Sequence, residues 1–428
     1  MPAELGVDRI ALDREDGTYA PGEEATFAIH MKETSDEVQI CLSNDGYKIH
    51  LQHPLQLRHG KATITGRLDQ PGFLRCRVDA GRAGQATTLL ACASYDPHAI
   101  QPTTTEPDDF DAFWEDQKKQ LAEIPAAAQL ELICSEDKCD LYKISLDHID
   151  GARVYGYLGR PAQIAGPWPA LLTLQNHGGG AWSVPPAWAA DFARRGFLSM
   201  AINTHDVENG MDDAYYTRLN RGPLASYTLR GFMDRDTYYF KAVFLRLVRA
   251  IDYLTDHAEW DGKSMILTGR SQGGGLSLVG AGLDRRVSGI VCAVPALCEH
   301  GGHKFGRPAS WPRFVANDEH DYGNDPNAET INGHGPVSET VWQVSRYYDA
   351  VNFARKIKCP AVLCLGLLDT CVPPTTVFSA YNVLQGPKEI VISPNLGHGA
   401  DRNPAYRRDE RICELASRAG SRVNYGTY

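Results

Sequence analysis

The stretch Gly269-Arg270-Ser271-Gln272-Gly273 constrains this chain more than any other. It follows the short apolar run Met265-Ile266-Leu267-Thr268 and precedes Gly274-Gly275-Leu276-Ser277-Leu278-Val279, which can open a helix. The expected local structure is a strand, a sharp turn and a helix. A turn tight enough to lift a serine hydroxyl above the end of a sheet holds that serine in a strained backbone conformation, so its neighbours must be small. Here they are Gly269 and Gly273, and Ser271 becomes a candidate nucleophile. A glycine-rich loop ahead of an ordinary helix would read the same over five residues, so partners elsewhere in the chain must distinguish the two.

Those partners occur in a fixed order. Ala170-Leu171-Leu172-Thr173-Leu174-Gln175 is a strand that delivers Asn176-His177-Gly178-Gly179-Gly180, whose bare backbone suits one half of an oxyanion hole. Gly179 would supply one N–H and Gln272, the residue after the nucleophile, the other; His177 reads as a structural hydrogen-bonding residue. The strand Pro360 to Gly366 leads to Leu367-Leu368-Asp369, and the last strand, Lys388 to Ser393, leads to Asn395-Leu396-Gly397-His398-Gly399. A serine, an acid and a histidine thus follow successive core strands in the order Ser271, Asp369, His398, which is the order of an α/β-hydrolase. The intervening text agrees. Phe197 to Ile202 and Gly289 to Val294 read as strands, and Tyr238 to His257 carries Phe240, Val243, Phe244, Leu247, Ile251 and Leu254 at helical spacing. Strands alternating with helices call for a mostly parallel sheet covered on both faces.

The chain of 428 residues is long for one domain. From Val7 to Cys92 it reads as short alternating strands separated by turns at Pro21-Gly22, Asn44-Asp45-Gly46 and Gln70-Pro71-Gly72, the pattern of a small β-sandwich resembling an immunoglobulin-type module. The expected division is an accessory sandwich over 1–100, a linker over 101–107 and a catalytic unit over 108–428, interrupted by a Gly-, Pro- and Asp-rich insertion near 299–340. The unit opens with a helix from Asp108 to about Ile124, and Thr204 to Pro223 reads as a polar loop. Trp182, Tyr215, Tyr216 and Trp311 are candidate walls for a sugar ring, each of which serves equally as a core residue.

Bulk properties exclude some classes. A formal charge of -10 with no basic run argues against nucleic acid as a partner. No stretch is apolar and long enough for a membrane span, and the start lacks the regions of a signal peptide, so a soluble protein is expected. The cysteines, an odd count of eleven with no CxxC pair, suggest reduced core thiols and favour the cytoplasm. Asp318, Glu319, His320, Asp321 and Asp325 lack the spacing of a zinc or calcium site and read as a solvated loop; no metal and no organic cofactor is expected.

Several longer stretches resemble the acetyl xylan esterases and cephalosporin C deacetylases, grouped as carbohydrate esterase family seven. They are Asp109 to Trp114, Gly269 to Leu276, Tyr348 to Ala354, Gly366 to Phe378, Ala380 to Asn382 and Gly386 to Ile390, so that the likeness spans about Asp108 to the C-terminus. Three positions depart from the family's usual text. Thr204-His205-Asp206 stands for Arg-Gly-Gln, Gly399 stands for the Glu after the histidine, and His177-Gly178-Gly179 stands for His-Gly-Tyr. The resemblance implies a serine esterase that removes acetyl or other short acyl groups from a carbohydrate or similar alcohol, with a small-molecule or oligosaccharide ester as its partner. A homo-oligomer is compatible with it, although the added sandwich keeps the family's ring-shaped hexamer from being carried over. Competing readings are a peptidase of the prolyl-oligopeptidase type, disfavoured because the segment before Asp108 is too short for a propeller, and a non-catalytic carbohydrate-binding protein on a hydrolase scaffold.

Overall fold

The central element of the computed structural model is a nine-stranded sheet whose middle strands are apolar at consecutive positions. Residues 8–32, 37–81, 87–136, 138–313 and 339–423 are described. The sheet is built from β9 (Gln129–Glu136), β10 (Cys139–Asp147), β11 (Arg153–Pro161), β12 (Trp168–Leu174), β13 (Leu198–Ile202), β14 (Trp260–Arg270), β15 (Gly289–Ala293), β16 (Ala361–Gly366) and β17 (Lys388–Ser393). Their order is β17-β16-β15-β14-β12-β13-β11-β10-β9. Pairing is parallel from β17 through β13 and antiparallel from β11 to the β9 edge.

Side chains alternate faces along a strand, so a strand covered on both sides must be apolar at every position. Leu172, Leu267 and Leu363 enter the large core formed with α1 (Phe110–Ala122), α4 (Tyr239–Asp256), α5 (Gln272–Leu283), α7 (Ala350–Ala354) and α8 (Pro374–Val383). Their neighbours Leu171, Ile266 and Val362 face the opposite way, into a smaller core shared with α2 (Ala187–Ala193) and α9 (Arg408–Arg418). Two further helices are α3 (Asp213–Arg221) and α6 (Glu339–Ser345). Helix α3 lies within the stretch read from sequence as a polar loop. Asp212 starts it by accepting the Tyr215 N–H at 2.8 Å, and Tyr216 is its one buried side chain.

Before this sheet come β1 (Arg9–Leu12), β2 (Thr18–Tyr19), β3 (Ala25–His30), β4 (Glu37–Asn44), β5 (Lys48–Gln56), β6 (Lys61–Gly66), β7 (Gly72–Ala80) and β8 (Thr87–Tyr95). They form a three-stranded sheet β1-β3-β6 and a five-stranded sheet β2-β8-β7-β4-β5. Phe27 and Ile29 of the first and Ile40, Leu42, Leu74 and Val78 of the second share one apolar core. The two halves of the chain are also packed together. Phe73 of β7 belongs to the large core and lies 5.6 Å, ring to ring, from Phe378 of α8.

Residues 101–107, composed like a linker, are bonded along their length. Thr103 donates its N–H and hydroxyl to the buried carboxylate of Glu299 at 2.8 and 2.6 Å, and Arg346 donates to the Thr105 carbonyl at 2.8 Å. Of the region read as an insertion, 299–313 and 339–340 are described. The acidic and histidine cluster Asp318, Glu319, His320, Asp321 and Asp325 lies outside the described residues.

Candidate active site

Strand β14 ends at Arg270 and helix α5 begins at Gln272, leaving Ser271 as the single residue in which the chain reverses. Its φ of 57° and ψ of -120° lie in a region that side chains other than glycine rarely adopt. The flanking glycines are sterically required. A Cβ on Gly269 would lie 2.4 Å from the Gly273 carbonyl oxygen, and one on Gly273 would lie 2.2 Å from that of Leu174. The turn is clamped from the next strand as well, because the Ser271 N–H donates to the Ala293 carbonyl at 3.0 Å.

Asp369 follows β16 and is fully buried. One carboxylate oxygen accepts the N–H groups of Cys371 and Val372, both at 2.9 Å. The other oxygen lies 2.8 Å from Nδ1 of His398, whose Nε2 lies 3.0 Å from Oγ of Ser271. A carboxylate already accepting two backbone donors requires a proton on Nδ1, which leaves Nε2 as the acceptor for the serine hydroxyl. Three residues far apart in sequence therefore form one hydrogen-bonded chain, in an arrangement able to move a proton off the serine. Arg270 holds the histidine loop in place: it donates from Nη2 to the His398 carbonyl and from Nε to Asp401 at 3.1 Å.

The two backbone donors expected from the sequence lie in the first turn of α5 and in the loop after β12. The N–H of Gln272 is in the first turn of α5, where donors have no intrahelical acceptor. Gly179 lies in the loop after β12 with a φ of 86°, flanked by Gly178 at 57° and Gly180 at 123°. Only glycine adopts such a succession of left-handed conformations without strain. The loop is pinned where it leaves the glycines, with Ala181 donating its N–H to Asn220 Oδ1 at 2.6 Å and its carbonyl accepting from the same amide at 3.0 Å.

Thr204 and His205, two of the positions where the family text differs, take part in side-chain contacts with Gln272 and two tyrosines. Tyr227 donates its hydroxyl to Gln272 Oε1 at 2.6 Å, and Gln272 Nε2 donates to Thr204 Oγ1 at 3.2 Å. His177 Nδ1 lies 2.8 Å from the Tyr227 hydroxyl, and His205 Nδ1 lies 2.7 Å from that of Tyr239. Burial pushes His177 down to about 4 and His205 to about 3, so both rings are neutral near pH 7. His177 is thus a structural hydrogen-bonding residue. Tyr227 had no signal in the sequence, since a lone tyrosine in irregular text looks like any other.

The four aromatic candidates are spread out. Trp311 packs against His177 with ring centroids 4.7 Å apart, beside the glycine loop. Trp182 donates its indole N–H to the Asn176 carbonyl at 3.3 Å, and the close fit of Gly178 over its ring supports that loop from below. Tyr216 is buried and donates its hydroxyl to the Glu208 carbonyl at 2.8 Å, which makes it a post for its loop. Tyr215 is half-buried, edge-on to Tyr216 and under the Arg218 guanidinium.

Comparison with known proteins decides the lineage. The acetyl xylan esterase (AXE1) family matches residues 95–415. The chain belongs to the acetyl xylan esterase family. Within it, the chain is 31% identical over 401 residues to the acetyl esterase Axe7A of Xylanibacter ruminicola, a match that takes in 91% of this chain and 86% of that protein. That match therefore reaches well into the residues ahead of 95. Among solved structures, the acetyl xylan esterase from Paenibacillus sp. R4 is similar at 26% identity with a TM-score of 0.58, over 75% of this chain and 98% of that one. Acetyl xylan esterase 1 from Thermoanaerobacterium sp. JW/SL YS485 is similar at 25% identity with a TM-score of 0.58, over 74% and 97%. Membership of the acetyl xylan esterase family bears out the α/β-hydrolase fold and favours the esterase over the peptidase and binding-protein readings. Among the described residues no helix is long and apolar enough to cross a membrane.

Proposed function

We propose that the protein is a serine esterase that removes acetyl or another short acyl group from a carbohydrate or similar alcohol through an acyl-enzyme. The observation that carries this reading is the chain Asp369–His398–Ser271, with contacts of 2.8 and 3.0 Å, seated on a strained turn in a chain of this family. Ser271 Oγ attacks the ester carbonyl while His398 Nε2 takes its proton. Asp369 holds the ring in the needed tautomer and stabilises the imidazolium. The oxyanion rests on the N–H groups of Gln272 and Gly179. As the tetrahedral species collapses, the ester C–O bond breaks and the imidazolium returns its proton to the departing alcohol. Water then attacks the acyl-enzyme with His398 again as base, the serine leaves as its hydroxyl, and the carboxylic acid is released.

The proposed organisation assigns this chemistry to 108–428 and an accessory β-sandwich to 1–100, joined by 101–107. Trp311 and Trp182, on and under the glycine loop, are the proposed aromatic contacts for the sugar, with Tyr215 more distant and Tyr216 confined to support. The test is hydrolysis of a chromogenic acetate ester by wild type and Ser271→Ala, extended to longer acyl chains and to acetylated xylo-oligosaccharides. The proposal expects turnover that falls as the acyl chain lengthens, and a loss of about a thousandfold or more in the variant. Undiminished turnover by Ser271→Ala would overturn it, as would preferential cleavage of peptide amides.

A further inference from the structure

The catalytic acid is held partly by a residue of the N-terminal sheets. Arg75, on β7, has its side chain only 4% exposed and lies 2.6 Å from the fully buried carboxylate of Asp45, which sits in the turn between β4 and β5. The same Nη2 donates to the main-chain carbonyl of Asp369 at 2.7 Å. The second oxygen of Asp45 accepts the N–H of Thr375, in the first turn of α8, at 3.0 Å. The pair therefore grips both ends of the segment 369–375, the Asp369 carbonyl at one end and the Thr375 amide at the other. Contacts on either side extend the grip. The Tyr47 ring lies 4.5 Å from that of His303 at an interplanar angle of 6°, and its hydroxyl donates to the His303 carbonyl at 3.2 Å. Phe73 meets Phe378 of α8 on the other side.

A buried guanidinium–carboxylate pair is poor evidence of stabilisation, because apolar residues of similar volume often serve as well. What such a pair provides and a leucine cannot is direction, since Arg75 bonds the main chain of the catalytic acid itself and Asp45 bonds the helix start six residues further on. Asp369 is also fixed by its own turn, through Cys371 and Val372, and by its N–H donated to the Gly366 carbonyl at 3.2 Å. From outside the turn, Trp311 donates its N–H to the Cys371 carbonyl at 3.2 Å and Arg313 donates to the Thr370 carbonyl. Those two hold the residues after the acid, whereas Arg75 holds the carbonyl of the acid itself, and a shift of about 1 Å there is enough to cost about a hundredfold in rate.

We propose that Arg75, oriented by Asp45, is a positioning residue for the esterase reaction. The N-terminal sheets thereby form part of the catalytic apparatus, setting the place of Asp369 and through it the His398 ring. The inference rests on the roles given above to Ser271, His398 and Asp369.

The experiment uses the full chain and compares wild type, Arg75→Met, Arg75→Lys, Asp45→Asn and Val78→Ala. Val78 is buried in the N-terminal core and serves as a purely destabilising control. Four readouts are taken: thermal unfolding, kcat and KM on a chromogenic acetate ester, the rate of covalent reaction of Ser271 with diethyl p-nitrophenyl phosphate, and the low-field proton resonance of His398 Nδ1–H. Arg75→Met is expected to lose about ten- to a hundredfold in kcat and in the phosphorylation rate alike, with KM within about threefold and a weakened low-field resonance. Arg75→Lys recovers part of the loss, and Asp45→Asn falls between. Val78→Ala unfolds at a lower temperature while keeping its kcat and its resonance. A folded Arg75→Met with wild-type kcat overturns the proposal, as does Val78→Ala losing kcat to the same degree. If Arg75→Met does not fold, Arg75→Lys and Asp45→Asn decide by the same criteria. If wild type reacts with the phosphate triester but turns over no acetate ester, the acetyl reading fails, and Arg75 is judged on the phosphorylation rate alone.

Discussion

At the scale of single residues, the proposed mechanism separates groups assigned to chemistry from groups that hold them. Asp369→Asn keeps the shape, but the Cys371 and Val372 N–H groups claim its one oxygen, so its NH2 faces His398 Nδ1 and favours the wrong imidazole tautomer. We expect kcat to fall by about three to four orders of magnitude with little change in KM, measured by steady-state hydrolysis of an acetate ester. Tyr227→Phe removes the hydroxyl bonded to Gln272 Oε1 and leaves a buried acceptor short of a donor. That change is expected to cost about 1–3 kcal/mol in urea unfolding and a smaller loss of kcat than Asp369→Asn. The contrast follows what could be read in advance. That Ser271, Asp369 and His398 would come within bonding distance was legible because each follows a core strand in a fixed order. Tyr227, Arg75 and Asp45 were not, because their meaning lies in partners tens to hundreds of residues away, such as Asp45 with Thr375.

At the scale of elements, the sheet strands and α4 were legible because burial demands a repeating pattern. Helix α4 carries an unbroken apolar stripe and spans Tyr239–Asp256, within one residue at each end of the expected range. Helix α3 was missed because its sequence Asp213-Ala214-Tyr215-Tyr216-Thr217-Arg218-Leu219-Asn220-Arg221 buries only Tyr216, too little for a stripe to show. Its start is set by a single cap, so Asp212→Ala should destabilise this segment by about 1 kcal/mol. Faster amide exchange confined to 213–221 would be the sign of it. The elbow is less forgiving. Gly273→Ala drives a Cβ into the Leu174 carbonyl, backbone against backbone, and should lower stability by about 1–3 kcal/mol or more while displacing Ser271. Chemical denaturation and acetate hydrolysis should both report it.

Across the whole molecule, buried titratable groups set how stability varies with pH. Burial pushes His148, His205, His300 and His303 down to about 3, so the folded protein keeps them neutral while the unfolded chain takes up protons below about 6.5. Their contribution is complete above about pH 6.5 and is lost as pH falls from there toward 3, at about 2 kcal/mol each by pH 5. Asp45 and Asp349, raised to about 6 by burial, act in the opposite sense over 6 to 3.8. They contribute about 1 kcal/mol each at pH 5, so the imidazoles prevail. The melting temperature is expected to fall steadily between pH 6.5 and 4.5, and a flat profile there would contradict these burials. The joining of the two halves through Glu299, Arg75 and Phe73 argues for one cooperative transition, in spite of a composition at 101–107 that reads as a tether. All of this serves the placement of one hydroxyl, and the most direct measurement is where an acetyl group goes. Wild-type protein quenched early in its reaction with an activated acetate ester and then digested should carry acetyl on the peptide containing Ser271, and Ser271→Ala should carry none and turn over none. Steady hydrolysis by Ser271→Ala, or acetyl on another residue as the competent intermediate, would contradict the account.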